Sequence, residues 1–129
     1  MTQIKFFKLQ AKNFMRDFET QKKREDGTYE YTPRFFSDID DIIICHNIDE
    51  DKFTLMNAQH VVAIIAGFKS WNDLIHASES RLELGKLLFE HREEDLLLDK
   101  WKNLETLYLS HMDDEAKLDI FKHTFLEKH

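Results

Sequence analysis

The stretch NAQHVVAIIAGFKSWNDLIHAS, residues 57–78, decides the fold class. Leu55, Ala58, Val62 and Ile65 recur at i, i+3, i+7 and i+10, the stripe of an amphipathic helix that Thr54 can cap. Gly67 fits the position just past the helix end, where a left-handed backbone costs a residue with a side chain about 1 kcal/mol. Phe68 then folds back onto the helix it leaves. Ser70 restarts the chain, with Asp73 three residues on as in a capping box, and sets Trp71, Leu74 and Ile75 on the inner side of a short helix. The reading is a helical corner, with Trp71 as its packing wedge and His60 as a boundary histidine on the edge of the apolar stripe.

Upstream of this corner, Ile4, Phe7, Ala11, Phe14, Met15 and Phe18 share one face of a helix predicted over residues 4–20. Lys5, Lys8, Lys12 and Arg16 line a neighbouring face at spacings of 3, 4 and 4. Phe6 and Leu9 fall off the stripe, to be covered by another segment or exposed for a partner. Asp26-Gly27 is a turn signal and TYEYT alternates, so residues 21–34 read as a short hairpin or an extended loop. Ser37 can cap a short buried helix carrying Ile39, Ile42 and Ile43 and ending near His46.

Downstream, a helix over residues 80–90 turns Leu84, Leu87, Leu88 and Phe89 inward, and the charged run HREED ends it. Leu97, Trp101, Leu104 and Tyr108 mark the next helix over residues 95–110. The last starts near Asp113 with acids at its positive end, and its seam is Leu118, Phe121 and Phe125. The expected fold is therefore mainly α: a compact single-domain bundle of about five to six helices around one core, residues 1–129.

Composition agrees with that class. Three Gly and one Pro leave little punctuation for short strands, and eleven Phe supply large buried faces. The single Cys45 has no internal partner and follows the run IIIC, which reads as a buried thiol in a reducing compartment. No apolar run approaches the ~18 residues of a membrane span, and MTQIKFFKLQ is too charged for a secretory signal. A cytoplasmic protein without a membrane segment is expected.

Chemistry-bearing patterns are missing. The glycines at 27, 67 and 85 are isolated, so no phosphate-binding loop forms, and the seven His include no i, i+4 pair. Asn47, Asp49 and Asp51 mimic the opening of a calcium loop, but Lys52 stands where that loop needs glycine and Ala58 where it needs glutamate. Acid pairs such as Asp40/Asp41, Glu93/Glu94 and Asp113/Asp114 sit at helix starts or in loops, where helix dipole and solubility explain them. No catalytic residue, cofactor or metal site is assigned.

The formal charge of −7 is uneven. Residues 1–34 carry eight Lys/Arg against five Asp/Glu, whereas residues 35–129 carry ten against twenty. The result is a basic N-terminal segment on an acidic body whose field repels phosphates and attracts a basic partner. Asp49, Glu50, Asp51, Glu93, Glu94 and Asp95 are the candidate acidic partner surface. The candidate basic contacts are Lys5, Lys8, Lys12, Arg16, Lys22, Lys23 and Arg24, with Tyr29 and Tyr31 available to stack on bases.

Within residues 54–78, AQHVVAIIAGFKSWNDLIHAS resembles a small helical module found beside glyoxalase-related domains: an alanine-rich helix, a glycine-aromatic stop, then a short helix with W-x-x-L. QAKNF at 10–14 is similar to the helix that opens that module. The resemblance implies a fold and carries over no catalytic residue, because the metal-binding glyoxalase domain has no counterpart here. With FFKLQAKNF, AQHVVAIIAGF and ELGKLLFEH the chain is also similar to small uncharacterised bacterial proteins, which implies a bacterial or mobile-element origin.

Two functions follow as expectations. The first is a non-catalytic, acidic inhibitor or regulator of a nucleic-acid-processing or defence enzyme, anti-CRISPR-like or antitoxin-like, with a basic protein partner. The second is RNA or DNA binding through the basic N-terminal helix and loop.

Overall fold

The computed structural model describes residues 3–94 and 96–127. Helix α1 (Gln3–Phe18) leads into a hairpin of two-residue strands, β1 (Lys22–Lys23) and β2 (Tyr29–Glu30). Six helices follow: α2 (Ile39–Cys45), α3 (Leu55–Ile65), α4 (Trp71–Ile75), α5 (Glu79–Glu90), α6 (Leu97–Leu104) and α7 (Asp114–Phe121). The last two continue into π-helical turns at Glu105–Leu109 and Lys122–Leu126. The mainly α class holds, and of the two readings for residues 21–34 the hairpin is the one adopted, antiparallel with Lys22 opposite Glu30.

Local rules place most helix starts. Thr54 and Asn57 form a reciprocal capping box on α3, Ser70 accepts the Asp73 N–H, and Asp113 accepts the Ala116 N–H. Two starts differ from expectation. α5 starts at Glu79 under a Ser78 cap rather than at residue 80, and Asp38 rather than Ser37 precedes α2, with no side-chain cap because its carboxylate is engaged elsewhere.

The corner is a Schellman turn. The Gly67 N–H donates to Ile64 O and the Phe68 N–H to Ala63 O, both at 2.9 Å, with Gly67 at φ +89°. Phe68 is the wedge, in place of Trp71. Its ring lies against Gly85, where an added Cβ would come within 2.8 Å of Phe68 Cε2, and the Arg81 guanidinium stacks 3.9 Å from the ring centre. Trp71 is only half-buried beside it.

The expected single core divides into two clusters that share α5. α1 packs on α3 and α5, burying Phe7, Ala11, Phe14 and Phe18 with Phe36, Val62, Phe68 and Phe89. On the other side of α5, Leu84 and Leu88 meet Trp101, Leu109, Leu118 and Phe121. Phe6 is covered by edge-on contact with Phe7 and Phe89, whereas Leu9 stays exposed.

Three apolar assignments change. Leu55, at the first turn of α3, is exposed, and Cys45 is exposed rather than buried because α2 turns Ile39, Ile42 and Ile43 inward. Tyr108 is exposed and Leu109 buried in its place. The π turn after Leu104 holds more residues than an α turn, which moves the inward face one position along the chain.

One polar group anchors the hairpin's return. Asp17 is 1% exposed, and its carboxylate accepts the backbone N–H groups of Arg34, Phe35 and Phe36 at 2.8, 2.9 and 2.6 Å. This cradle seats Phe36 against Phe14 and Phe89.

Candidate docking cleft and charged surfaces

The basic line of α1 forms as its spacing requires. Lys5, Lys8, Lys12 and Arg16 are all exposed, and among the described residues none of them enters an ion pair; Arg16 donates a hydrogen bond to Asn13 at 3.3 Å. Lys22, Lys23 and Arg24 are exposed on the hairpin.

The two tyrosines of that hairpin are engaged by acids. Tyr29 donates its hydroxyl to Asp51, and Tyr31 donates to Glu50 at 2.5 Å while accepting from Gln21 at 2.8 Å. Gln21 also reaches the Glu50 carbonyl at 3.2 Å. Burial, then the Glu50 contact, holds the Tyr31 phenol well above its ordinary pKa. Its ring packs on Phe18, so the face expected to stack on a base is turned into the protein. Glu50 and Asp51 thus clasp the basic hairpin, and Asp49 closes a local turn by accepting the Asp51 N–H.

A cleft of about 480 Å³ opens between α2 and the passage from α5 to α6. Ile42, Ile65, Leu88 and Leu98 line it with apolar surface, and Leu96 stands on its wall, 57% exposed. Four carboxylates, from Asp38, Asp41, Glu93 and Glu94, share the cleft with one guanidinium. That guanidinium is committed: Arg92 binds Asp38 through Nε–Oδ2 at 2.9 Å and Nη2–Oδ1 at 3.1 Å, donates to Phe89 O, and lies over the Phe36 and Phe89 rings. Among the described residues Asp41, Glu93 and Glu94 have no such cation, although the His91 ring hydrogen-bonds to Glu94. His46 also lines the cleft, and burial, reinforced by the nearby His60, lowers its pKa. Its neutral form is therefore favoured near pH 7.

The sequence-derived acids separate accordingly. Glu93 and Glu94 reach the cleft, Glu50 and Asp51 bind the hairpin tyrosines, Asp49 lines a separate depression, and Asp95 falls outside the described residues. Asp38, Asp41, Cys45, His46, His91 and Arg92 were not anticipated as site residues. A signal for the α2 wall did exist: Asp38, Asp41, Ile42 and Cys45 fall at i, i+3, i+4 and i+7, one helix face. The three consecutive isoleucines masked it by suggesting a helix buried all round. His60 is exposed in a separate depression of about 270 Å³ that Trp71 does not line. Among the described residues no group of three or more His, Cys, Asp or Glu is placed to hold a metal ion, and no helix is long and apolar enough to cross a membrane. Comparison with protein-family models, curated proteins and solved structures finds no match to this chain.

Proposed function

We propose that this chain is a non-catalytic binding protein that occupies a cationic surface of another macromolecule. The partner class is a nucleic-acid-processing or defence enzyme, inhibited or regulated in an anti-CRISPR-like or antitoxin-like manner. One observation carries the reading. The larger cleft presents Asp41, Glu93 and Glu94 beside apolar surface, while the one guanidinium that lines it among the described residues is held by Asp38. The excess of acids over the rest of the body extends that field and speeds encounter with a basic groove.

The test is reconstitution. A partner captured from cells is purified and its association measured by biolayer interferometry at low and physiological salt, with and without single-stranded RNA as competitor. A basic partner that dissociates faster as salt rises, and that RNA displaces, supports the reading. A partner indifferent to both salt and RNA refutes it.

A second reading, nucleic-acid binding by the N-terminal segment, is favoured by the exposed line of Lys5, Lys8, Lys12 and Arg16 with no ion pair among the described residues. Here contact would be with phosphates, since the Tyr31 ring is unavailable. Fluorescence anisotropy of labelled RNA and DNA at low salt decides it. Binding that Lys8→Glu with Lys12→Glu weakens about tenfold supports it; no binding removes it.

A further inference from the structure

We infer that the cleft between α2 and the α5–α6 passage seats one cationic side chain on an aliphatic stem, an arginine or lysine of the basic partner's docking segment. The inference rests on the reading of this chain as an acidic binder and specifies where and by what chemistry it binds.

Size comes first. At about 480 Å³ the cleft lies toward the small end of the roughly 300–1,000 Å³ of ligand pockets, which suits a side chain and a little backbone rather than a folded element. Its chemistry is divided in the manner such a side chain requires. Arginine and lysine lay a hydrocarbon stem on apolar surface and keep a charged head among polar groups. Ile42, Ile65, Leu88 and Leu98 supply the first environment; Asp41, Glu93 and Glu94 supply the second.

Other occupants fit less well. A phosphate or carboxylate would meet three carboxylates with Arg92 already bidentate to Asp38. A fully apolar segment would bury those carboxylates without a counter-charge, at a cost of several kcal/mol per ion. The exposed Leu96 adds an apolar contact beside the entering stem, and His46, held toward neutrality by its burial, adds no opposing charge.

Cys45 makes the cleft observable. It is the chain's single cysteine, it lines the cleft and it is exposed. The probe is a capped peptide with one arginine flanked by leucine and alanine; its control replaces arginine with citrulline, which keeps the shape and loses the charge. The full chain is titrated with each to millimolar concentration. Two quantities are read: the rate of Cys45 modification by a thiol reagent, and amide shifts by NMR.

The arginine peptide is expected to slow Cys45 modification, to shift Cys45, His46 and Leu98, and to bind about tenfold more tightly than the citrulline peptide. Glu93→Gln with Glu94→Gln, both exposed positions outside the cores, should weaken it about tenfold with the amide spectrum otherwise retained. Equal binding of the two peptides, shifts confined to another surface, or unaltered Cys45 reactivity overturns the inference. If the reconstituted partner still binds with salt and RNA dependence while Cys45 stays unprotected, the cleft assignment falls and the proposed function stands. If neither is seen, both fall.

Discussion

Arg92, just past the end of α5, reaches back to Asp38, at the threshold of α2, and closes two parallel hydrogen bonds across 54 positions of sequence. The guanidinium also lies over the adjoining Phe36 and Phe89 rings, at 4.8 and 4.7 Å from their centres. One side chain thus fixes one wall of the cleft against the other, while among the described residues Asp41 and Glu93 enter no ion pair and Glu94 meets only the His91 ring.

Breaking that pair strands a mostly buried carboxylate. Arg92→Ala is expected to destabilise the fold by about 3 kcal/mol in urea unfolding. Arg92→Lys should recover only part of this, because an ammonium cannot form the two-pronged contact or stack flat on the rings. A double-mutant cycle with Asp38→Asn should show coupling above about 1 kcal/mol. Additive losses would mean that Arg92 acts through its aromatic contacts alone.

Asp17 should matter to a similar degree. Its carboxylate is the acceptor for three backbone N–H groups at the start of the segment leading to α2. Asp17→Ala orphans all three and is expected to cost about 3 kcal/mol, with Asp17→Asn intermediate since one oxygen remains. Hydrogen exchange should show the amides of Phe35 and Phe36 losing protection in both variants. Unchanged protection would assign their order to the Phe36 ring instead.

The glycines separate conformational cost from space. Gly67→Ala combines a left-handed backbone with contacts of 3.1 Å to Arg81 and Leu88, and about 2 kcal/mol of destabilisation is expected. Gly27→Ala shares the positive φ but has nothing within 4 Å, so only about 1 kcal/mol should be lost. Gly85→Ala has ordinary helical backbone and would gain helix propensity, yet its Cβ meets the Phe68 ring. Its net effect should still be destabilising by about 1 kcal/mol. Thermal melts of the three variants give the comparison directly.

His46 predicts a pH dependence. Burial, then repulsion from His60, lowers its pKa below the ordinary 6.5, so the unfolded chain takes up the proton first as pH falls. Stability from this group is present above pH 6.5 and is lost as pH drops toward the folded pKa. His46→Gln should flatten that part of the stability–pH curve. His60→Gln should raise the His46 pKa in an NMR titration; a His46 that titrates at or above 6.5 in the native protein would refute the account.

Much of the architecture is legible in the sequence, for a common reason. Caps at Thr54, Ser70 and Asp113, the stop at Gly67 and the buried stripe of α1 depend on groups one to four residues apart, within reach of local backbone geometry. The same locality made the basic line on α1 readable. Where a local rule met a distant competitor it failed. The α2 cap expected of Ser37 gave way to Asp38, whose carboxylate binds Arg92 instead of capping, and Phe68 displaced Trp71 as the wedge because α5 offers it a glycine without a side chain.

Sequence by itself therefore determined the helical class, the corner and the separation of a basic segment from an acidic body, because spacing and composition act over single turns or over the whole chain. Only tertiary structure decided that Cys45 is exposed, that Tyr29 and Tyr31 answer to Asp51 and Glu50, and that residues from 38–46, 65, 88–94 and 96–98 line one cleft. Those outcomes depend on which faces of separate helices meet, and each partner lies many turns away along the chain, where neither period nor propensity carries information.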